Sequence, residues 1–449
     1  MRRPAHAAFA FTHRRIEGRT LVLGYALRGG PDPDIAFEER ISTPEELPAP
    51  DPGDPVVDVL TDAVHRAFGV SYFKAAVPPR FEAEPVGPAE AALWDTLYGE
   101  GLGEFWFRNQ LDPAQRGAFP VGPPRPAVGV AAPGTERVLV LAGGGKDSAV
   151  AAEVVRAAGV EADAYSLGSA PWLGRSAAAM GLRHLRSSRR LDPALLALNA
   201  AGAYNGHVPI SAAIAALSTL VATLGGYSAV LAANERAADE GNTRWRGIEV
   251  NHQWSKSLRF EAAWADFCAA RAPGAPIWRS LLRPLGELAI TTAFARHPRY
   301  FDHITSCNAN FRQSPGAEPA RWCGRCPKCV FVALCLSPAL SEADTARIFG
   351  QDVLADGENE ALLAALVGQS GMKPFECVGT PEESRLALSR LARQGRLRGM
   401  AADFWQAHPE VAVPADDAAW TAAQRPFGPH LLPPVWEERL HAYLGTSPR

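Results

Sequence analysis

One segment constrains the fold of this chain more than any other: a short apolar run that passes through consecutive glycines into a helical pattern. It reads Val138-Leu-Val-Leu-Ala-Gly-Gly-Gly-Lys-Asp-Ser148. A glycine-rich turn between a strand and a helix exposes successive backbone N–H groups at the positive end of the helix, so this segment predicts a phosphate-binding turn. The segment matches neither GxxxxGK[ST] nor GxGxxG. The predicted phosphate-binding residues are Gly143, Gly144, Gly145, Lys146, Asp147 and Ser148.

Strand and helix patterns alternate after this turn. We predict a helix over 148–158 and strands over 162–167 and 227–233. Such alternation indicates a parallel sheet covered by helices on both faces, the doubly wound α/β class. A proline-rich connector, residues 120–133, indicates a domain boundary. The predicted domains are an α+β domain over 1–130, an α/β domain over 131–336 and a helical region over 337–449.

Charge and hydropathy exclude several functional classes. The 449 residues carry 45 Lys+Arg against 48 Asp+Glu, a net charge of -3, which argues against a nucleic-acid partner. Residues 205–234 lack charged side chains, but they are rich in Ala and Ser and are interrupted by Pro209 and a Gly225-Gly226 pair. We therefore expect a buried helix and strand there, no membrane association and, since no signal peptide is evident, a cytoplasmic protein.

The cysteines indicate a metal site. Of the seven, Cys323, Cys326 and Cys329 follow a C-x2-C-x2-C pattern, and Cys307 lies shortly before them. Four thiolates can close a tetrahedral shell around Zn²⁺ with no position left for a catalytic water, so we predict a structural zinc site in a reducing compartment. The alternative is a set of free buried cysteines.

Three further blocks are dense in proton-transfer and anion-binding groups. They centre on His207 in the sequence YNGHVP, on His252 and Lys256 in NHQWSKS, and on Cys377 in KPFECVGT. Glu261 follows the second block, and Glu376 precedes Cys377. A histidine with an ordinary structural role is the alternative for each imidazole.

The turn GGGKDS resembles the SGGxDS loop of the ATP pyrophosphatase superfamily, the PP-loop enzymes, which cleave ATP between its α- and β-phosphates. Gly143 stands where many members carry Ser, so one side-chain contact to pyrophosphate is missing. The later segment 230–240, VLAANERAADE, resembles the nucleotide-facing loop of that superfamily. The resemblance implies ATP and Mg²⁺ as ligands, Ser166 and Asn234 near the nucleotide, and Asp147, Glu235 and Asp239 as magnesium ligands.

Together, the motifs between residues 138 and 385 resemble the UDP-N-acetyl-muramoyl-L-alanyl-L-glutamate epimerase family of peptidoglycan precursor synthesis. The resemblance implies adenylation of a carboxylate on a UDP-linked muramoyl dipeptide, a small-molecule substrate, followed by inversion of the terminal L-Glu. The unranked proton-transfer candidates are His207, His252, Lys256, Glu261, Glu376 and Cys377. Other PP-loop activities remain open, namely cyano-deazaguanine synthesis, tRNA modification or amide ligation, as does a zinc-stabilised nucleotide sensor. The oligomeric state is also open.

Overall fold

The computed structural model describes residues 3–311, 321–369, 371–425 and 427–446. The chain builds an N-terminal sheet with helices, then a parallel sheet with helices, and ends in a set of helices. The mixed α/β class expected from the sequence is therefore confirmed.

The N-terminal sheet is mainly antiparallel. Its strands are β1 (Ala8–Glu17), β2 (Thr20–Arg28), β3 (Ile35–Ser42), β4 (Arg80–Glu82) and, from much later in the chain, β8 (Arg189–Arg190). They lie in the order β4-β1-β2-β3-β8, with β4 parallel to β1 and the other neighbours antiparallel.

Helices cover this sheet. They are α1 (Pro55–Phe68), α2 (Val70–Phe73), α3 (Pro88–Gly99) and α4 (Gly103–Arg108). The start of α1 is fixed locally, because the Asp54 carboxylate accepts a hydrogen bond from the Val56 N–H at 2.8 Å and Pro55 occupies the first helical position.

A five-stranded parallel sheet forms the centre of the molecule. Its strands are β5 (Val138–Leu141), β6 (Ala162–Leu167), β7 (Arg183–Ser187), β9 (Ala229–Ala232) and β12 (Ile277–Ser280), in the order β12-β9-β5-β6-β7. All neighbouring pairs are parallel. Val138 and Val140 belong to one buried cluster, whereas Leu139 belongs to another, so both faces of the sheet are covered.

The elements that connect these strands are mostly helical. The helices are α5 (Lys146–Ala157), α6 (Pro171–Met180), α7 (Pro193–Ala200), α8 (Ile210–Leu224) and α9 (Leu258–Arg271). A hairpin of β10 (Thr243–Trp245) and β11 (Ile248–Val250) lies between β9 and α9. Helix α8 is largely buried against α1 and leads to the buried strand β9, which confirms the expectation for the uncharged segment. Within the described ranges, no helix combines the length and apolar character that crossing a bilayer requires.

The remainder of the chain is helical, as expected. Its helices are α10 (Glu287–Ala295), α11 (Pro327–Leu336), α12 (Glu342–Phe349), α13 (Glu360–Leu366), α14 (Pro381–Arg393), α15 (Gly399–Ala407), α16 (Asp417–Ala423) and α17 (Pro434–Leu444). Helix α14 packs on α10 and α11, and α17 returns to α5. The N-terminal sheet and one face of the parallel sheet share a single core, in which Phe9 and Tyr25 belong with Leu139 and Val230. The domain boundaries at 130 and 336 stay predictions.

Candidate active site

The glycine turn joins β5 to α5 at the carboxyl edge of the parallel sheet. Gly144 has a φ of +84°, a conformation that favours glycine, and its carbonyl accepts a hydrogen bond from the Thr305 N–H at 2.9 Å. Gly145 is the N-cap residue of α5, and no side chain in the described ranges caps that end. A Cβ built on Gly143 would meet nothing within 4 Å. The turn therefore presents backbone N–H groups and open space, as an anion site requires.

A cavity of about 320 Å³ opens beside this turn. The carboxyl ends of several strands contribute to its wall, as expected for an α/β sheet. Of the residues that the sequence predicts, the cavity is lined by Gly143, Gly145, Asp147, Ser148, Ser166, Asn234, Glu235, Lys256 and Cys377. Polar residues that the sequence analysis did not single out also line it, among them Glu287, Lys328, Ser306 and Asn308.

Lys146 and Ser148 have partners within the protein. The Lys146 ammonium is buried, with only 1% of its side chain exposed, and forms ion pairs with Asp147 and Glu287. Burial alone would lower the pKa of Lys146, but these two carboxylates raise it above its usual value. The Ser148 hydroxyl donates to the Gly145 carbonyl at 2.9 Å. Lys146 therefore neutralises neighbouring carboxylates rather than facing the cavity.

Buried carboxylates crowd one end of the cavity. Burial, followed by the charges of Glu287, Glu383 and Asp147, raises the pKa of Glu235 to about 8. Burial opposes ionisation of Asp147 too, but Lys146 and Lys328 lower its pKa. The Glu383 carboxylate accepts a hydrogen bond from the Glu287 N–H at 2.7 Å and closes the capping box of α14 with Thr380. A divalent cation would relieve the repulsion among these carboxylates, and their oxygens suit Mg²⁺.

A lysine–cysteine pair lies on another part of the cavity wall. Lys256 precedes Ser257, the N-cap residue of α9, while Cys377 lies in the turn that leads to α14. The Lys256 Nζ and the Cys377 Sγ are 3.1 Å apart. Burial would raise the pKa of Cys377, but the Lys256 charge and a hydrogen bond with His252 lower it to about 5. Cys377 is therefore a thiolate at neutral pH and has the character of a base or nucleophile.

A histidine and a glutamate extend this pair away from the cavity. The His252 Nδ1 lies 2.5 Å from the Glu104 Oε2, and Glu104 belongs to α4 of the N-terminal region. Burial would lower the pKa of His252, yet Cys377 and Glu104 raise it to about 9. His207 lies beside them, with its Nδ1 at 3.7 Å from the same Glu104 oxygen and its ring centroid at 4.3 Å from that of His252. Burial and the His252 charge lower the pKa of His207 to about 3.

Cys377, His252 and Glu104 therefore influence one another's ionisation, and Glu104 hydrogen-bonds the His252 imidazole. This arrangement has the logic of a catalytic triad, in which a third group orients and charges the middle one. Cys377 and Lys256 line the cavity, whereas His252, His207 and Glu104 do not.

Other predicted residues lie outside the cavity lining. Glu261 is fully buried, accepts a hydrogen bond from the Ser280 N–H at 3.1 Å and faces Arg283 at 3.7 Å. Asp239 accepts from the Leu258 N–H at 2.6 Å and contacts the same arginine at 3.4 Å. Both residues brace the segments that carry Lys256 and Glu235. The Glu376 carboxylate accepts a hydrogen bond from the Asn308 side chain.

The four predicted metal-ligating cysteines come together. One ligand atom from each of Cys307, Cys323, Cys326 and Cys329 lies within 4.8 Å of the others. The Cys329 Sγ is 3.7 Å from that of Cys323 and 3.4 Å from that of Cys326. The set is a candidate metal site. Cys335 is buried in the core and Cys268 lies apart, and none of the seven cysteines, all of which lie in the described ranges, forms a disulfide.

Sequence reasoning missed Glu104, Glu287, Lys328 and Glu383. Two of them carried a local signal, because Lys328 stands within the C-x2-C-x2-C pattern and Glu383 closes a T-x-x-E capping box. Glu104 and Glu287 carried none, since only the tertiary fold brings them to this site.

The fold and the site define the class: an α/β protein with a glycine turn at a helix N-terminus, a carboxylate cluster and a lysine–cysteine pair around one cavity. Comparison with known proteins narrows this class. The MurL N-terminal domain family matches residues 1–279, and the MurL C-terminal domain family matches residues 303–418. No solved structure matches the chain.

Curated relatives agree with these matches. A protein of Micromonospora sp., named UDP-N-acetyl-alpha-D-muramoyl-L-alanyl-L-glutamate epimerase, is 40% identical over 96% of this chain and 97% of its own length. Proteins of the same name from Salinispora tropica and Xanthomonas oryzae pv. oryzae are 39% and 38% identical, over 93% and 86% of this chain and 92% and 86% of their own lengths. The chain belongs to the MurL family, and it is an enzyme, an epimerase.

Proposed function

We propose that this enzyme converts the terminal L-Glu of UDP-MurNAc-L-Ala-L-Glu to D-Glu during cytoplasmic peptidoglycan precursor synthesis, with ATP as the second substrate. The relatives' names support the dipeptide substrate. The observation that carries the chemistry is one cavity lined by the glycine turn and acidic residues and, elsewhere on its wall, by the Lys256–Cys377 pair. Such a cavity suits diphosphate release and proton abstraction in one place.

Activation must precede inversion. The α-proton of a free carboxylate is very weakly acidic, because its removal would place a carbanion beside an anion. Attack of that carboxylate on the α-phosphorus of ATP forms an acyl adenylate, releases diphosphate and removes the charge from the acyl group. The proton then becomes acidic enough for a positioned side chain to remove. A second acid on the opposite face, whose proton exchanges with solvent, then protonates the α-carbon, and water hydrolyses the anhydride to D-Glu and AMP.

The glycine turn is our candidate for the diphosphate site, as in the PP-loop type of doubly wound fold. The uncapped N-terminus of α5 and the space at Gly143 support this assignment. Asp147, Glu235 and Glu287 all line the cavity and suit Mg²⁺, which would neutralise phosphate oxygens. Ser166 and Asn234 line the cavity and are candidates for contacts with the nucleoside.

Cys377 is our candidate for the base that removes the α-proton. Its thiolate lines the cavity, and the adjacent Lys256 ammonium lies where it could also stabilise an enolate oxygen. His252 and Glu104 stabilise the thiolate through their charges and hydrogen bonds. These groups thereby keep Cys377 ionised, as removal of the α-proton requires.

The test combines the two half-reactions. The full-length enzyme is incubated in D₂O with ATP, Mg²⁺ and UDP-MurNAc-L-Ala-L-Glu, and AMP, diphosphate, glutamate configuration and α-deuterium are measured. We expect the wild type to release AMP and to give D-Glu carrying deuterium. Asp147→Asn should lose both AMP release and inversion, whereas Cys377→Ala should lose inversion and retain adenylation. Cys268→Ala, a cysteine outside the cavity, is the matched control and should behave as wild type.

Two results would contradict the proposal. Inversion without AMP formation would show that adenylation is not part of the reaction. Inversion by Cys377→Ala at the wild-type rate would show that Cys377 does not transfer the proton.

A further inference from the structure

The four-cysteine cluster has the dimensions of a single metal ion. Bonds of about 2.3 Å to a tetrahedral Zn²⁺ place thiolate sulfurs about 3.8 Å apart. The distances from the Cys329 Sγ to those of Cys323 and Cys326 are 3.7 and 3.4 Å. All four sulfurs lie within 4.8 Å of one another, which leaves room for one ion but not for a cluster of several irons.

Local backbone structure supports thiolates at this point. Cys326 is the N-cap residue of α11, and its Sγ accepts a hydrogen bond from the Cys329 N–H at 3.4 Å. The positive end of a helix and an N–H donor both favour the ionised sulfur that a metal needs. The helix thereby delivers two of the four ligands.

The chain that enters the cluster also holds the glycine turn. Thr305, two residues before the ligand Cys307, donates its N–H to the Gly144 carbonyl at 2.9 Å. The adjacent Ser306 packs so closely that a Cβ on Gly145 would lie 3.4 Å from the serine Cβ. The Thr305 hydroxyl in turn donates to the carbonyl of Arg321, next to the second ligand segment. The cluster is therefore connected directly to the candidate diphosphate site.

Residues beside the ligands also hold the turn that carries Cys377. Lys328, between Cys326 and Cys329, donates its Nζ to the Cys377 carbonyl and lies 3.9 Å from a Glu287 carboxylate oxygen. Asn308, next to Cys307, donates to the Glu376 carboxylate. Both Lys328 and Asn308 line the cavity. Residues next to the cysteine ligands thus contact both the carboxylate cluster and the turn that carries Cys377.

We propose that Cys307, Cys323, Cys326 and Cys329 bind one zinc ion, and that this ion fixes the glycine turn and the Cys377 turn relative to each other. The naming of these turns as parts of an active site rests on the proposed function. The zinc is structural, because four thiolates leave no position for substrate or water. Its effect on catalysis passes through Lys328 and Asn308, which are positioning residues.

Metal content tests the first half of this proposal independently of any reaction. The full-length enzyme, purified without chelator, should contain one zinc per chain by inductively coupled plasma mass spectrometry. Cys326→Ser should lose the zinc, whereas Cys268→Ala, which changes a cysteine outside the cluster, should retain it. Wild-type enzyme without stoichiometric zinc, even after zinc is added, would overturn the site. If Cys326→Ser does not fold, the wild-type enzyme is treated with a chelator instead. The chelator should release one zinc per chain and lower the melting temperature of the enzyme.

Lys328→Met tests the second half. This variant should retain one zinc but lose about 10- to 100-fold in kcat with a smaller change in KM, because the Cys377 turn loses the hydrogen bond that holds it and a small misplacement of a reacting group costs at that level. Wild-type kcat in Lys328→Met, or in the zinc-stripped enzyme, would overturn the positioning role. Zinc at full occupancy in an enzyme that releases no AMP would instead contradict the proposed function and leave the metal site standing.

Discussion

Replacing Lys256 by methionine tests whether charge activates Cys377. Methionine keeps most of the apolar stem and removes the ammonium, which lies 3.1 Å from the Cys377 sulfur. The pKa of Cys377 is lowered from 9.0 to about 5 against the effect of burial, and Lys256 is the largest cause of the lowering. If Lys256 supplies half of this change, the pKa in the variant rises to about 7.

This shift changes the ionisation near neutral pH. At pH 6, a pKa of about 5 corresponds to about 90% thiolate, whereas a pKa of about 7 corresponds to about 10%. The alkylation rate at one pH is a poor measure of that change, because a thiolate of higher pKa is also intrinsically more nucleophilic. The midpoint of the rate against pH is independent of nucleophilicity and reports the pKa directly.

The assay is iodoacetamide labelling of the substrate-free enzyme from pH 4 to 10, with modification at Cys377 quantified by peptide mass spectrometry. We expect a midpoint at about 5 for the wild type and at least about 2 pH units higher for Lys256→Met. Lys74→Met, which removes a buried lysine outside the cavity, should keep the wild-type midpoint. A wild-type midpoint near 9, or equal midpoints in wild type and Lys256→Met, would refute the electrostatic argument.

Further predictions concern the surroundings of the cavity and the N-terminal region. Cys377 and then Glu104 raise the pKa of His252 to about 9, so Glu104→Gln removes part of this rise and should move the high-pH limb of the kcat/KM profile about one unit lower. Gly144→Ala forces a side chain into a φ of +84° and should reduce the free energy of unfolding by about 1 kcal/mol in urea titrations, whereas Gly143→Ala should not. Asp62→Asn removes the buried carboxylate that pairs with the guanidiniums of Arg66 and Arg125 at 3.0 and 2.7 Å; because Arg125 keeps its ion pair with Glu90, the change should cost about 3 kcal/mol at pH 7, the lower end for a broken buried pair. Arginine charges hold the pKa of Asp62 below its usual 3.8 against the effect of burial. The stabilisation that Asp62 provides is therefore present above pH 3.8 and is lost as the pH falls through the lowered pKa, so the unfolding free energies of wild type and Asp62→Asn should converge in acid.

The local elements of this fold were predictable because local chemistry specifies them. The glycine turn, the strand over 162–167 and the buried helix α8 follow from periodicity, glycine conformation and capping. The cysteine cluster followed from spacing alone, since three of its members are separated by two residues each. The order of the parallel strands was not predictable, because it depends on which helices pack on which face.

The site was only partly predictable. Lys256 and Cys377 were candidates among several, and no property of the sequence shows that they lie 3.1 Å apart. The expected roles of Lys146 and Glu261 as groups facing a ligand came from residue type, whereas their burial and ion pairs depend on distant partners, Glu287 and Arg283. Residue type indicates what a group can do, but its pKa and orientation come from tertiary neighbours.

The N-terminal region carries no sharp motif, yet it belongs to the same functional unit as the cavity. Glu104 in α4 is the carboxylate that orients His252, and His252 in turn helps to ionise Cys377. The core of this region is continuous with one face of the parallel sheet, and its strand β3 pairs with β8, which follows β7 of that sheet. The family match likewise runs unbroken from residue 1 to 279. The N-terminal region therefore contributes to the proposed chemistry through the ionisation of Cys377, in addition to any contact it makes with substrate.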